Sequence, residues 1–165
     1  MSENRPHIIS LGEVLWDCFP TGDRFGGAPA NFACQAAALD GKITMVSAIG
    51  SDEKGCEAES ILGSYGIDTH LLQVKDTFPT GTVSVDLDEN GVPAYIIHEA
   101  AAWDHVEWRS EIGREVASAD AIYFGTLGQR NAVSRAVIQR VVEMAAEGEV
   151  RRILDVNHRP PFFDY

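Results

Sequence analysis

A chain of 165 residues, 45% of them hydrophobic and 23% charged, has the balance of a globular domain large enough to bury its own core. Its formal net charge of −12 sets up a field that repels nucleic acid and anionic membrane, so neither is expected as a partner, although local donors could still hold an anionic ligand. Cys18, Cys34 and Cys56 show no CxxC spacing, and no apolar leader or run of membrane-spanning length occurs; the expectation is three small buried thiols in a cytoplasmic protein.

The first element is HIISL (residues 7–11), a short apolar run closed by Gly12 that reads as a buried strand. EVLWDC (13–18) extends it, with Glu13 and Asp17 bracketing apolar residues, and residues 20–27 form a loop. NFACQAAAL (31–39) is helical in composition and ends at Asp40-Gly41. ITMVSAI (43–49) is a second strand closed by Gly50, and residues 54–65 form a helix stopped by Gly66. Strand, helix, strand, helix is the order of parallel βαβ units.

The rhythm then changes. TGTVSVDLD (80–88) alternates polar and apolar positions, Asn90-Gly91 supplies a tight turn, and VPAYIIH (92–98) follows. Alternation around Asn-Gly predicts an antiparallel hairpin with one wet face, either a lid beside a site or an ordinary edge hairpin. The parallel rhythm resumes with a helix over 111–118, a strand over 120–125 and a capped amphipathic helix over 134–148, whose stripe is Val137, Ile138, Val141 and Val142. RRILDVN (151–157) is a further strand with polar residues at its carboxyl end. No helix follows it, so the chain reads as cut rather than finished.

The chemistry concentrates in FGGAPAN (25–31). Gly26 and Gly27 let a ligand approach the backbone, Pro29 stiffens the entrance to a helix, and the Asn31 amide can both donate to and accept from a hydroxyl. The plain alternative is a glycine turn with an asparagine helix cap. No GxxxxGK[ST] phosphate loop is present. Asp17 falls where the first strand is expected to end, and ligands of open parallel sheets bind beyond the carboxyl ends of strands. Its carboxylate can accept two sugar hydroxyls at once; the alternative is a turn-capping aspartate.

Taken together, GEVLWDCFPTG…FGGAPANFACQAAALDG resembles the ribokinase-like (PfkB) carbohydrate kinases, in wording most similar to the bacterial fructokinases among them. VSAIGSDEKG, PTGTVSVDLDENGVPAYII, AWD, FGTLGQR and LDVNHRPPF agree in order along nearly the whole chain. The resemblance implies an α/β fold, a parallel-sheet sandwich with a small β-hairpin lid over roughly 80–98. Residues 1–165 would then be the N-terminal part of a sugar-kinase domain whose ATP-binding half is absent. It implies sugar contacts from Asp17, Gly26, Gly27 and Asn31, and from Tyr95 and Ile97 on the inward lid face. Gln129 and Arg130 would end a central strand near the sugar or its transferred phosphate. Asn157 would lie near the phosphates and Arg159 near the transfer site, with His158 and Pro160-Pro161 departing from the usual wording. No residue here is expected to bind a metal.

The family's GAGD-type turn, which supplies the base, and its NxxE segment are both missing, so no catalytic residue is expected in this chain. The implied activity is ATP-dependent phosphorylation of a sugar hydroxyl, with fructose first among substrates. ATP and Mg2+ would serve the intact enzyme, a monovalent cation is a further candidate, and a homodimer would form through the lid. The alternatives are a non-catalytic sugar-binding or dimerisation module, and a same-family kinase for a nucleoside or another sugar.

Overall fold

The computed structural model describes residues 5–87, 93–159 and 162. Five strands form a parallel sheet in the order β5-β4-β1-β8-β9: β1 (His7–Leu11), β4 (Lys42–Gly50), β5 (Leu72–Lys75), β8 (Ala121–Gly125) and β9 (Arg151–Asp155). Helices α1 (Ala28–Ala38) and α2 (Glu53–Ser64) cover one face, and α3 (Ser110–Ser118) and α4 (Ala132–Glu147) cover the other. Strand β4 shows how the sequence makes this possible. Ile43, Met45 and Ile49 pack with Ala33 and Leu62 under α1 and α2, while Val46 and Ala48 pack with Ile112 and Val141 under α3 and α4. An apolar run without alternation therefore fits a strand buried on both sides.

A second, four-stranded sheet has the order β3-β2-β6-β7: β2 (Leu15–Phe19), β3 (Gly22–Gly26), β6 (Gly81–Leu87) and β7 (Pro93–Ile97). This corrects two expectations. Residues 13–18 do not prolong β1, because Gly12 at φ 138 breaks the strand and sends the chain out of the large sheet. A Cβ at Gly12 would also stand 2.7 Å from Pro29 Cγ. The stretch read as loop contains β3, which returns antiparallel to β2. The expected hairpin is thus part of a four-stranded sheet, with β2 joined in parallel to β6. The Asn90-Gly91 turn lies outside the described residues.

The root of this small sheet is tied to α2. Lys54 pairs with Asp23 of β3, and Trp16 Nε1 donates to the Lys54 carbonyl at 3.1 Å. Helix α4 begins at Asn131, whose side chain accepts the Val133 N–H; Ser134, three residues on, is buried and donates to the Trp103 carbonyl at 2.7 Å. Of the three cysteines, Cys34 is buried, Cys18 half-buried and Cys56 exposed, so the expectation of three buried thiols holds for Cys34 alone.

Candidate active site

A cavity of about 280 Å3 opens between the carboxyl ends of the parallel strands and the inner face of the small sheet. This is where open parallel sheets place ligands. Glu13 reaches it after β1, Leu127 after β8, and Asn157 and Arg159 after β9; Gly27, Ala28 and Asn31 come from the start of α1. Leu15 and Asp17 point in from β2, Val83 from β6, and Tyr95 and Ile97 from β7. Each of these pairs on one strand is two residues apart, as a shared face requires. The register sets Val83 opposite Ile97 and makes an apolar wall against the polar floor.

Seven of the ten site residues expected from sequence line this one cavity: Asp17, Gly27, Asn31, Tyr95, Ile97, Asn157 and Arg159. Asp17 sits within β2 of the small sheet rather than at the end of the first strand. Partial burial pushes its pKa up, and the Arg159 charge pulls it back. Asn31 is not a helix cap. Gly27, at φ 104, occupies the cap position of α1, and Asn31 lies a turn further in, exposed. Its amide is thereby left for a ligand. The Asn157 carbonyl accepts from Thr126 Oγ1 at 2.9 Å, which fixes the segment after β9 against the end of β8. Arg159 Nε is buried with no partner among the described residues.

Three expected residues stand elsewhere. Gly26 acts from behind: a Cβ there would come within 2.8 Å of Asp17 Oδ2, so the glycine makes room for that carboxylate. Gln129 is turned away in a short 3-10 turn, its Nε2 donating to the Gly125 carbonyl at 3.0 Å. Arg130 is held by Asp104, with Nε and Nη2 donating to separate carboxylate oxygens, and lies 4.0 Å from the Trp103 ring centroid. It borders a smaller cavity of about 150 Å3 instead. Leu127 takes the wall position that the sequence suggested for these two.

Glu13 is the residue that the sequence reading passed over. It is 2% exposed, its Oε1 accepts the Ala28 N–H at 3.2 Å, and Oε2 has no partner among the described residues. Burial drives its pKa up to about 7 against the pull of the backbone hydrogen bonds, with Asp155 adding to the rise and Arg130 opposing it. The only signal in sequence was its place between Gly12 and an apolar run.

The cavity offers a carboxylate, a buried acid, two amides and one guanidinium around an apolar wall. That set can grip the hydroxyls of a small polar molecule while excluding water from its carbon skeleton. Among the described residues no three Asp, Glu, His or Cys side chains come together to hold a metal ion.

Residues 7–164 match the pfkB family of carbohydrate kinases. The chain belongs to that family. It is 25% identical over 173 residues to the probable fructokinase-5 of Arabidopsis thaliana, covering 97% of this chain and 53% of that protein. A nucleoside kinase of Methanothermobacter thermautotrophicus is 31% identical over 144 residues, covering 76% of this chain and 45% of that protein. In fold it superposes with a TM-score of 0.84 on a fructokinase of Xylella fastidiosa solved with ATP bound, at 24% identity, over 96% of this chain and 51% of the other. The ribokinase-like fold is shared, and the chain spans about half the length of these relatives. No helix among the described residues is long and apolar enough to cross a membrane.

Proposed function

We propose that the intact protein transfers a phosphoryl group from ATP to a hydroxyl of a small sugar, fructose first among candidates, and that this chain supplies the sugar-holding half. The observation that carries the reading is the meeting of Asp17 and Asn31 in one cavity under the small sheet. A carboxylate that accepts hydrogen bonds from two hydroxyls and an amide that donates and accepts would orient a polyol for in-line attack. Asn157 and Arg159 would face the incoming phosphate, where a guanidinium can spread its charge over phosphoryl oxygens. The base, the adenine site and the groups that hold Mg2+ would come from the half of the relatives' length that this chain does not span, where the ion would supply neutralisation of phosphate charge.

A nucleoside is the second candidate, favoured by the identity to a nucleoside kinase. Against it, Tyr95 is the one aromatic residue in the described wall, and it is 55% exposed at the rim, little surface for stacking a base. A homodimer through the small sheet fits the exposure of Ile96 on its outer side, and the setting would be the cytoplasm. The test is a coupled assay of the full-length protein with ATP against fructose, other hexoses and nucleosides. Fructose should give the highest kcat/KM. A preference for a nucleoside, or no phosphoryl transfer to any sugar, contradicts the proposal.

A further inference from the structure

The sugar-site reading gives Glu13 no task, yet the fold goes to some length to bury it. Its carboxyl lies among glycines: a Cβ at Gly27 would stand 3.4 Å from Glu13 Cγ, and one at Gly128 would stand 3.6 Å from Oε2. The unpartnered Oε2 lies by the turn after β8, and Glu13 lines the cavity together with Gly27, Ala28 and Leu127. A buried carboxyl oxygen without a hydrogen bond is costly, and a ligand group that reaches it would offset that cost.

The groups that act on this carboxyl come from three sides. Asp155 at the end of β9 disfavours its charge, Arg130 after the β8 turn favours it, and Tyr123 of β8 carries its own hydrogen bond to Asp155 at 2.9 Å. Helix α1 contributes no charged side chain, only the Ala28 N–H on Oε1. Among the described residues no cation forms an ion pair with Glu13. Burial outweighs the rest and sets its pKa at about 7.

We propose, resting on the sugar-site reading, that Glu13 binds the carbohydrate as a neutral acid, donating its Oε2–H to one hydroxyl oxygen of the ligand. Asp17 provides an acceptor in this cavity, and a hydroxyl both donates and accepts, so a protonated Glu13 would add a donor to the same lining. The hydrogen bond that the protonated carboxyl donates to the sugar is lost when the group ionises, so the bound sugar favours the protonated form. Binding then takes up a proton from solvent. The ligand-bound form titrates above the free form, so affinity is full below the free value and falls as pH rises past about 7, by up to roughly tenfold per pH unit.

The test is titration calorimetry of the full chain with D-fructose near neutral pH, in buffers of differing ionisation enthalpy, for wild type, Glu13→Gln and Glu13→Leu. Wild type should take up on the order of half a proton per sugar bound and weaken several-fold toward alkaline pH. Glu13→Gln keeps a donor and an acceptor, so it should bind within about threefold of wild type with no proton uptake and a flat pH profile. Glu13→Leu should lose about tenfold or more in affinity. Should the leucine variant fail to fold, the proton count of the glutamine variant decides alone. Fructose binding without proton uptake in wild type, or equal uptake in Glu13→Gln, overturns the inference and leaves the sugar site standing. No binding of any sugar by wild type defeats the sugar-site reading and this inference with it.

Discussion

Arg130 forks onto Asp104, with Nε 2.8 Å from one carboxylate oxygen and Nη2 2.7 Å from the other, and Nη2 also reaches the His98 carbonyl. The two side chains are 5% and 2% exposed, and the guanidinium lies between the Trp103 and Phe162 rings. The pair ties the turn after β8 to the segment that follows β7, so it holds the small sheet over the cavity without lining it.

Removing one partner of such a pair strands the other charge in a dry site. Asp104→Ala should therefore cost about 3–5 kcal/mol in urea unfolding. A change below about 1 kcal/mol would show that water reaches Arg130 and that the pair is not a structural tie.

Asp17→Ala removes the carboxylate from the cavity and leaves the β2 backbone pairing intact. If the proposed sugar-kinase activity holds, in the full-length protein it should raise the sugar KM and lower kcat together, because binding and orientation would share that group. Hydrogen bonds to a charged partner suggest a loss of about 10-fold to 100-fold in kcat/KM. An unchanged kcat/KM would remove Asp17 from the site.

Gly26→Ala separates room-making from direct contact. The new Cβ would sit 2.8 Å from Asp17 Oδ2, and a side-chain end can move where backbone cannot. Stability should change by less than about 1 kcal/mol while sugar affinity falls several-fold. Unaltered affinity would mean that the Asp17 carboxylate does not depend on Gly26 for its position.

Stability should also report Glu13. Its folded pKa of about 7 exceeds the ordinary 4.5, so the folded form holds the proton more tightly than the unfolded chain. The contribution is present below pH 4.5 and is lost as pH rises toward about 7, roughly 3 kcal/mol across that window. Asp52 and Asp68, whose pKa values are lowered, act in the opposite sense at lower pH. The difference in unfolding free energy between wild type and Glu13→Gln isolates the effect: it should slope through this window. A flat difference would place Glu13 in water.

The βαβ frame was legible because β1, β4 and β8 are dominated by apolar residues and Asp40-Gly41, Gly66 and Gly148 close α1, α2 and α4. Ile43 to Ile49 reads as a strand closed by Gly50, and the structure buries it on both faces. The small sheet was half legible. Its β6–β7 ladder alternates, but β3 is Gly-Asp-Arg-Phe-Gly, and nothing local in those residues favours a strand until β2 lies beside them. β2 in turn pairs in parallel with β6, Trp16 against Thr82, a contact no short window can contain. β5 is only four residues and was missed for that reason. In the site, Asp17 and Asn31 were readable from their chemistry and their glycine-rich surroundings. Glu13 was not, because a glutamate after glycine usually marks a turn; here Gly12, Gly27 and Gly128 close around it only once the chain is folded. Arg130 misled for the converse reason. A cation at the end of a central strand suggests a phosphate, and its real partner, Asp104, is fixed by tertiary packing.

The most direct measurement is a crystal structure of the protein grown with D-fructose. Density for one sugar should appear between Asp17 and Asn31 beneath Val83 and Ile97, with an Asp17 oxygen about 2.5–3.0 Å from a hydroxyl. A cavity that stays filled with water at saturating sugar, or fructose bound on another face of the fold, would contradict the account.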